Sequence, residues 1–175
     1  MNESPVIDNE PSPTAAPARK RVLIVDDDAP VREAIGSVLR NARYEVMQSG
    51  DGQEALEKFD PKQIDLLLLD LGLPNKSGWD TFEGFTSQNP TLPIIIITGQ
   101  SRQSEMARAA GVGALMEKPL DAAQLLQTME ELLNEPEEAR LRRVAGYSQD
   151  VRYIPLAPQH MRSGAFTVKL NRKPK

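Results

Sequence analysis

Short apolar runs alternate along the chain with segments in which apolar residues recur every three or four positions. The runs predict five strands, and the periodic segments predict a helix after each strand. Asp121 is the predicted N-cap of the last helix. The strands are Val22–Val25, Tyr44–Met47, Ile64–Leu69, Ile94–Ile97 and Ala114–Met116. Runs without a polar face are typical of parallel strands that helices cover on both sides. We therefore predict an α/β fold with a doubly wound, five-stranded parallel sheet within residues 20–135.

The two ends of the chain differ from this pattern. Residues 1–19 are rich in Pro, Ala and Ser, and we expect them to be disordered. Pro136 ends the last helix, and residues 136–175 hold nine basic and three acidic residues, a formal charge of +6. The rest of the chain carries a formal charge of −10, and the two parts together give the total of −4. We expect a basic tail without a recognised domain, either solvated or bound to a partner. Within it, the apolar runs that begin at Tyr153 and Phe166 weakly indicate a β-hairpin. We expect His160 to be exposed and to have no functional role.

Polar residues stand where four of the five strands end. Asp26 and Asp27 follow the first strand, Asp70 ends the third, Thr98 ends the fourth, and Lys118 comes shortly after the fifth. Because parallel strands deliver such residues to one edge of the sheet, we expect them to converge there. Any one of them has an ordinary explanation, such as a helix cap or a Lys-Pro turn, but the ordered set is much more specific.

Three converging carboxylates repel one another unless a cation lies among them. Oxygen ligands of this kind suit Mg²⁺, which prefers a phosphate partner. A hydroxyl and an ammonium group could bind the remaining oxygens of a phosphoryl group, and a carboxylate can itself form an aspartyl-phosphate. The constellation therefore predicts an acceptor site for phosphoryl transfer, built from aspartates, Mg²⁺, Thr98 and Lys118.

Composition excludes several other classes of site. The chain has no cysteine and a single histidine, which rules out disulfides, a cysteine nucleophile and a zinc site with several histidines. The formal charge of −4 argues against general nucleic-acid binding. No apolar run approaches the length of a membrane span, and no secretory signal is visible, so we expect a cytoplasmic protein without membrane insertion.

Four segments carry a resemblance to a known family. VLIVDDD, LLLLDLGLPNKSG, IIIITG and LMEKP resemble the receiver domain of two-component response regulators. The resemblance implies a flavodoxin-like sheet of order 2-1-3-4-5 and a cis bond before Pro119. It also implies roles for individual residues: Asp70 as phosphoacceptor, Asp26, Asp27, Asp70 and the backbone carbonyl of Gly72 as Mg²⁺ ligands, Thr98 as switch hydroxyl, and Lys118 as partner of the phosphoryl oxygens.

The chain departs from the family pattern at two places. Leu115 stands where the family usually has a switch aromatic, three residues before the lysine. The interval from Thr98 to Lys118 is about two residues shorter than usual, so the fourth helix or the loop before it must be abbreviated. An aromatic readout and a standard output dimer are therefore in doubt.

The resemblance implies a signalling protein rather than an enzyme. It would accept a phosphoryl group from a histidine kinase or phosphotransfer protein and act on an output protein, and DNA binding is not expected because the tail is too short for a helix-turn-helix domain. Two alternatives stay open. Asp26 and Asp28 form a D-x-D resembling haloacid-dehalogenase-like phosphatases, although Asp70 would then have no role. The domain could also be a degenerate receiver that only binds partners.

Overall fold

We describe the protein from a computed structural model, which covers residues 18–74, 77–99, 103–147 and 151–155. Strands and helices alternate from the first described residues onward. They are β1 (Arg21–Val25), α1 (Ala29–Asn41), β2 (Glu45–Ser49), α2 (Gly52–Glu57), β3 (Leu66–Asp70), α3 (Gly78–Gln88), β4 (Ile94–Thr98), α4 (Ser104–Ala109), β5 (Ala114–Glu117), α5 (Ala122–Leu133), α6 (Glu137–Val144) and β6 (Arg152–Ile154).

All strands of the sheet are parallel, in the order β2-β1-β3-β4-β5-β6. The first five strands therefore have the predicted order 2-1-3-4-5. The sixth strand was not predicted as part of the sheet. Its three residues pair with β5 and move the free edge of the sheet from β5 to β6.

The two central strands explain why their sequences lack polar positions. Every residue of β3 and β4 is buried, because helices cover the sheet on both faces. Two separate apolar clusters result, one on each face, and alternate residues of a strand belong to alternate clusters: Leu67 and Leu69 to one, Leu66 and Leu68 to the other. Each such side chain stabilises the fold by about 1.5–3 kcal/mol relative to an exposed one.

The helices begin where the sequence supplies a capping oxygen. Asp28, Asp51, Ser77 and Asp121 accept backbone N–H donors from the first turns of α1, α2, α3 and α5. At the other end, the short helix α4 is followed by Gly111 with a φ of +68°, a left-handed conformation that favours glycine. With six residues, α4 is as short as α2.

The described residues beyond position 135 are ordered against the sheet. Pro136 stands at the N-cap position of α6, and the segment from Arg152 to Ile154 is a strand that pairs in parallel with β5. The expectations for residues 1–17, for His160 and for the run beginning at Phe166 lie outside the described residues. No helix in the described part of the chain is long and apolar enough to cross a membrane.

Candidate functional site

The carboxyl ends of the strands bring the predicted residues to one edge of the sheet. Asp70 is the last residue of β3 and pairs in register with Ile97 of β4, so Thr98 lies one residue further along the neighbouring strand. Thr98 in turn pairs with Glu117, the residue before Lys118. Asp26 and Asp27 follow directly on β1, which lies on the other side of β3.

Three carboxylates form a compact acidic cluster at this edge. Asp26, Asp27 and Asp70 each offer one oxygen, and these oxygens lie within 4.8 Å of one another. Asp26 and Asp70 are buried, whereas Asp27 is exposed. The cluster is therefore open to solvent on one side and enclosed by protein on the other.

Lys118 supplies the positive charge inside the cluster. Its Nζ donates to Asp70 Oδ2 at 2.6 Å and to Asp26 Oδ2 at 2.8 Å, and its side chain is 7% exposed. Burial alone would lower the pKa of Lys118, but the carboxylates of Asp70 and Asp26 outweigh burial and raise it above the usual 10.5. The ammonium group is thus held charged, between two side chains that the sequence separates by 44 positions.

Asp26 is the carboxylate that burial affects most clearly. Burial raises its pKa above the ordinary 3.8, the nearby Asp70 adds to the rise, and Lys118 offsets only part of it. Its second oxygen, Oδ1, accepts the backbone N–H of Asp28 at 2.9 Å, and its carbonyl accepts a bond from Arg32. The bonds from Asp28 and Lys118 to its two carboxylate oxygens hold the carboxyl group of Asp26 in one orientation.

The loop after β3 approaches the acceptor carboxylate closely. The Gly72 amide donates to Asp70 Oδ1 at 2.9 Å. A Cβ added at Gly78 would lie 2.4 Å from the Cα of Leu71, so only glycine allows the start of α3 to pack against this loop. Trp79, in the first turn of α3, donates its ring N–H to Gln103 just before α4 at 3.2 Å.

The donor set of the acidic cluster fits a hard divalent cation. All three side-chain donors are carboxylate oxygens, and no thiol or imidazole lies among them. One of them, Asp27, is exposed, which leaves room for the waters that Mg²⁺ retains. The three aspartates could therefore hold Mg²⁺ together with several waters.

The structure joins some predicted residues more closely than others. Asp26, Asp70 and Lys118 contact one another directly, while Thr98 is buried beside them and accepts the Lys118 N–H through its backbone carbonyl at 2.8 Å. The contact between Arg32 and Asp26 was missed because a helical arginine carries no distinctive pattern. The pairing of β6 with β5 was missed because Pro155 weakens the apolar run that forms it.

The order of the sheet and the acidic cluster at its carboxyl edge define a flavodoxin-like domain of the CheY type. The chain belongs to the response regulator receiver domain family, whose model matches residues 22–130. That family is a signalling module in two-component phosphorelays rather than a class of catalytic enzymes. The predicted family and fold are thereby confirmed, and the phosphatase alternative is not supported.

Curated relatives share the domain at moderate identity. The transcriptional regulatory protein PdtaR of Mycobacterium tuberculosis is 34% identical over 114 residues, which cover 63% of this chain and 55% of PdtaR. The regulatory protein VanRB of Enterococcus faecalis is 33% identical over 140 residues, covering 77% of this chain and 63% of VanRB. The chain thus spans about half the length of PdtaR and somewhat more of VanRB.

Solved structures show the same fold. A CheY-like response regulator receiver domain protein from Methanospirillum hungatei has 28% identity and a TM-score of 0.62, covering 70% of this chain and 98% of that one. The chemotaxis response regulator CheY4 of Vibrio cholerae has 28% identity and a TM-score of 0.60, covering 66% and 99%. Both alignments therefore leave about a third of this chain unmatched.

Proposed function

We propose that this chain accepts a phosphoryl group on Asp70 from a histidine kinase or phosphotransfer protein in the cytoplasm. The observation that carries the proposal is the contact of Lys118 Nζ with Asp70 Oδ2 inside a cluster of three carboxylates. A carboxylate beside a charged ammonium and two further acidic side chains is suited to receive a phosphoryl group and to hold its oxygens. The family membership supports the same conclusion.

The transfer uses the residues of the carboxyl edge in distinct roles. A carboxylate oxygen of Asp70 attacks phosphorus, the bond from phosphorus to the donor nitrogen breaks, and the leaving imidazole takes up a proton. Lys118 pairs with a phosphoryl oxygen, and the hydroxyl of Thr98 binds another. Such transfers depend mainly on positioning and on neutralisation of charge.

A bound Mg²⁺ would neutralise phosphoryl charge at this site. Asp26, Asp27 and Asp70 would hold it through their carboxylates, together with the backbone carbonyl of Gly72. The support for this assignment is the all-oxygen donor set and the exposed position of Asp27.

We propose that the phosphorylated chain acts on an output protein through protein contacts rather than on DNA. In support, the described residues beyond α5 pack on the receiver itself as α6 and β6. The domain division into residues 1–19, 20–135 and 136–175 remains a proposal, and α6 and β6 favour a structural unit that extends past residue 135.

Incubation with acetyl phosphate and Mg²⁺, followed by intact-mass measurement, tests the acceptor. We expect the native chain to gain one phosphoryl group and Asp70→Asn to gain none. Asp65→Asn is the matched control, because Asp65 precedes the same strand at its opposite end and pairs with Lys20. It should be phosphorylated like the native chain.

Two outcomes would contradict the proposed function. A native chain that gains no phosphate, although it is folded and binds Mg²⁺, would indicate a degenerate receiver. Phosphorylation that survives Asp70→Asn but is lost in Asp26→Asn would move the nucleophile to the first strand and revive the phosphatase alternative.

A further inference from the structure

Residues 151–155 cover the outer edge of β5, the strand that leads to Lys118. Strand β6 pairs with β5 in parallel register, with Leu115 opposite Tyr153 and Met116 opposite Ile154. Val151 packs against one apolar cluster and Ile154 against the other, so the segment touches both faces of the sheet. Without it, β5 would present unpaired backbone groups at the edge of the sheet.

The helix before this segment is firmly docked. Arg143 of α6 is buried, and its Nε donates to the Gly111 carbonyl at 3.2 Å while Nη2 binds Glu135 at 2.8 Å. A Cβ on Gly111 would lie 3.0 Å from the carbonyl oxygen of Arg143 and from the Cα of Val144, which shows how closely α6 approaches. Helix α6, which precedes β6 in the sequence, is therefore fixed against the body of the protein.

Strand β6 itself is short and partly exposed. It has three residues, and the backbone bond from Arg152 N to the Gly113 carbonyl is long, at 3.4 Å. The ion pair of Arg152 with Glu131 is at 2.9 Å, but both side chains are more than a third exposed, and such pairs contribute little. Short, partly exposed edges are among the parts of a fold that open at the lowest free-energy cost.

One contact links β6 to the acceptor site. The Tyr153 hydroxyl donates to Glu117 Oε1 at 2.7 Å. Glu117 is the last residue of β5, lies beside Thr98 in the sheet, and is followed by Lys118, whose ammonium binds Asp26 and Asp70. A single peptide unit thus separates the anchor of β6 from the residue that would receive the phosphoryl oxygens.

We propose that residues 151–155 form a displaceable strap over the β5 edge, and that phosphorylation of Asp70 releases it through Glu117 and Tyr153. The inference rests on the proposed function of Asp70. Phosphorylation gives Lys118 phosphoryl oxygens as partners in place of a carboxylate oxygen and draws it away from its present position. The bond from Tyr153 to Glu117 is made in the unmodified arrangement, so a shift of the Glu117–Lys118 peptide weakens it and favours the open state.

Release of the strap would free a row of backbone donors and acceptors on β5. An extended segment of another protein can pair with such an edge, and side chains on alternate faces then select the partner. The strap would keep this edge of β5 covered until Asp70 is phosphorylated.

Hydrogen exchange on the full-length chain tests the release. Exchange is followed at Arg152–Ile154 and at β5 before and after acetyl phosphate and Mg²⁺, and the intact mass is measured on the same samples. We expect exchange in both strands to accelerate at least about fivefold, the lower end of typical allosteric coupling. Exchange in α6 should not change. A mass gain with unchanged or slower exchange at β6 overturns the strap but leaves the acceptor function intact, whereas absence of any mass gain contradicts the acceptor function itself.

Two variants separate the proposed link from general loosening of the strap. Tyr153→Phe keeps the ring but removes the bond to Glu117, and Arg152→Gln removes the bond to Glu131 on α5. Both should speed exchange of β6 in the unmodified chain, but only Tyr153→Phe should reduce the acceleration caused by phosphorylation. An undiminished acceleration in Tyr153→Phe would overturn the route through Glu117.

Discussion

At the scale of single residues, the acidic cluster contains more negative charge than Lys118 can neutralise. Two buried carboxylates share one ammonium group, and the third carboxylate lies close by. The raised pKa of Asp26 records the imbalance, since burial and the nearby Asp70 together disfavour its charged form more than Lys118 and the Asp28 amide favour it. The metal-free protein therefore retains a cluster suited to a cation at some cost in stability.

The raised pKa of Asp26 determines how its ionisation changes the stability of the fold with pH. Its folded-state pKa lies above 3.8, so the folded protein holds a proton on Asp26 more tightly than the unfolded chain does. The resulting stabilisation is fully present below about pH 3.8 and is lost as the pH rises through the raised value. At neutral pH the charged form of Asp26 therefore destabilises the metal-free fold.

We predict that Asp26→Asn stabilises the metal-free protein at pH 7. The neutral amide removes the excess charge and leaves Lys118 paired with Asp70, so we expect a gain of about 1 kcal/mol and a rise in Tm of about 2–4 °C. The measurement is thermal unfolding in EDTA across pH. The gain should shrink as the pH falls through the raised pKa of Asp26, where the native carboxyl group takes up a proton. A lower Tm for Asp26→Asn at pH 7 would show that the ion pair with Lys118 outweighs the cost of burial.

At the scale of elements, α6 depends on docking rather than on its own helical tendency. It has eight residues, too few for a stable isolated helix in water. Arg140 and Arg143 face the body of the protein, where they bind backbone carbonyls and Glu135. The opposite face carries Arg142, paired in solvent with Glu138.

We predict that Arg143→Ala destabilises the protein by about 3 kcal/mol, because it leaves the buried carboxylate of Glu135 without its main partner. Arg142→Ala is the matched control on the same helix, and its loss should stay under about 0.5 kcal/mol. Denaturant unfolding of both variants gives the comparison. Equal small losses would mean that α6 is not part of the cooperative unit.

At the scale of the whole molecule, metal binding and folding are linked. Two carboxylates of the proposed Mg²⁺ site directly follow β1 and the third ends β3, so the three meet only in the folded chain. A cation that binds the folded state and not the unfolded chain stabilises the protein by mass action, by about 2.7 kcal/mol at a hundred times its Kd.

We predict that Mg²⁺ raises the Tm of the native chain and that Asp27→Ala abolishes the rise. Asp27 is the exposed member of the cluster, so its removal leaves the buried contacts of Lys118 intact and should change the metal-free Tm little. Thermal scans with Mg²⁺ are compared with NaCl at equal ionic strength. An undiminished Mg²⁺ effect in Asp27→Ala would place the cation elsewhere.

Fluorescence of Trp79, the single tryptophan of the chain, offers a second readout of Mg²⁺ binding near the site.

Much of the fold could be predicted because its central strands are apolar on both faces. Such strands occur in parallel sheets, and parallel strands place their carboxyl ends at one edge. This rule is sufficient to group Asp26, Asp70 and Lys118 from the sequence alone. The limits of the edge strand β2 were predicted less well, as Tyr44–Met47 against the observed Glu45–Ser49, because its side chains are mostly exposed and its pattern is weak.

The sequence alone determined the five-stranded sheet, the family and the set of residues that meet at its edge, because these depend on local periodicity and on short motifs. Only the tertiary structure decided how Lys118 divides its bonds between Asp26 and Asp70 and where the chain goes after α5. Strand β6 has three residues with proline behind them, and Arg143 is one arginine among several in a polar helix. Arg143 is positioned by its contacts with Gly111 and Glu135, and β6 by its pairing with the edge of β5. No local sequence pattern encodes these contacts.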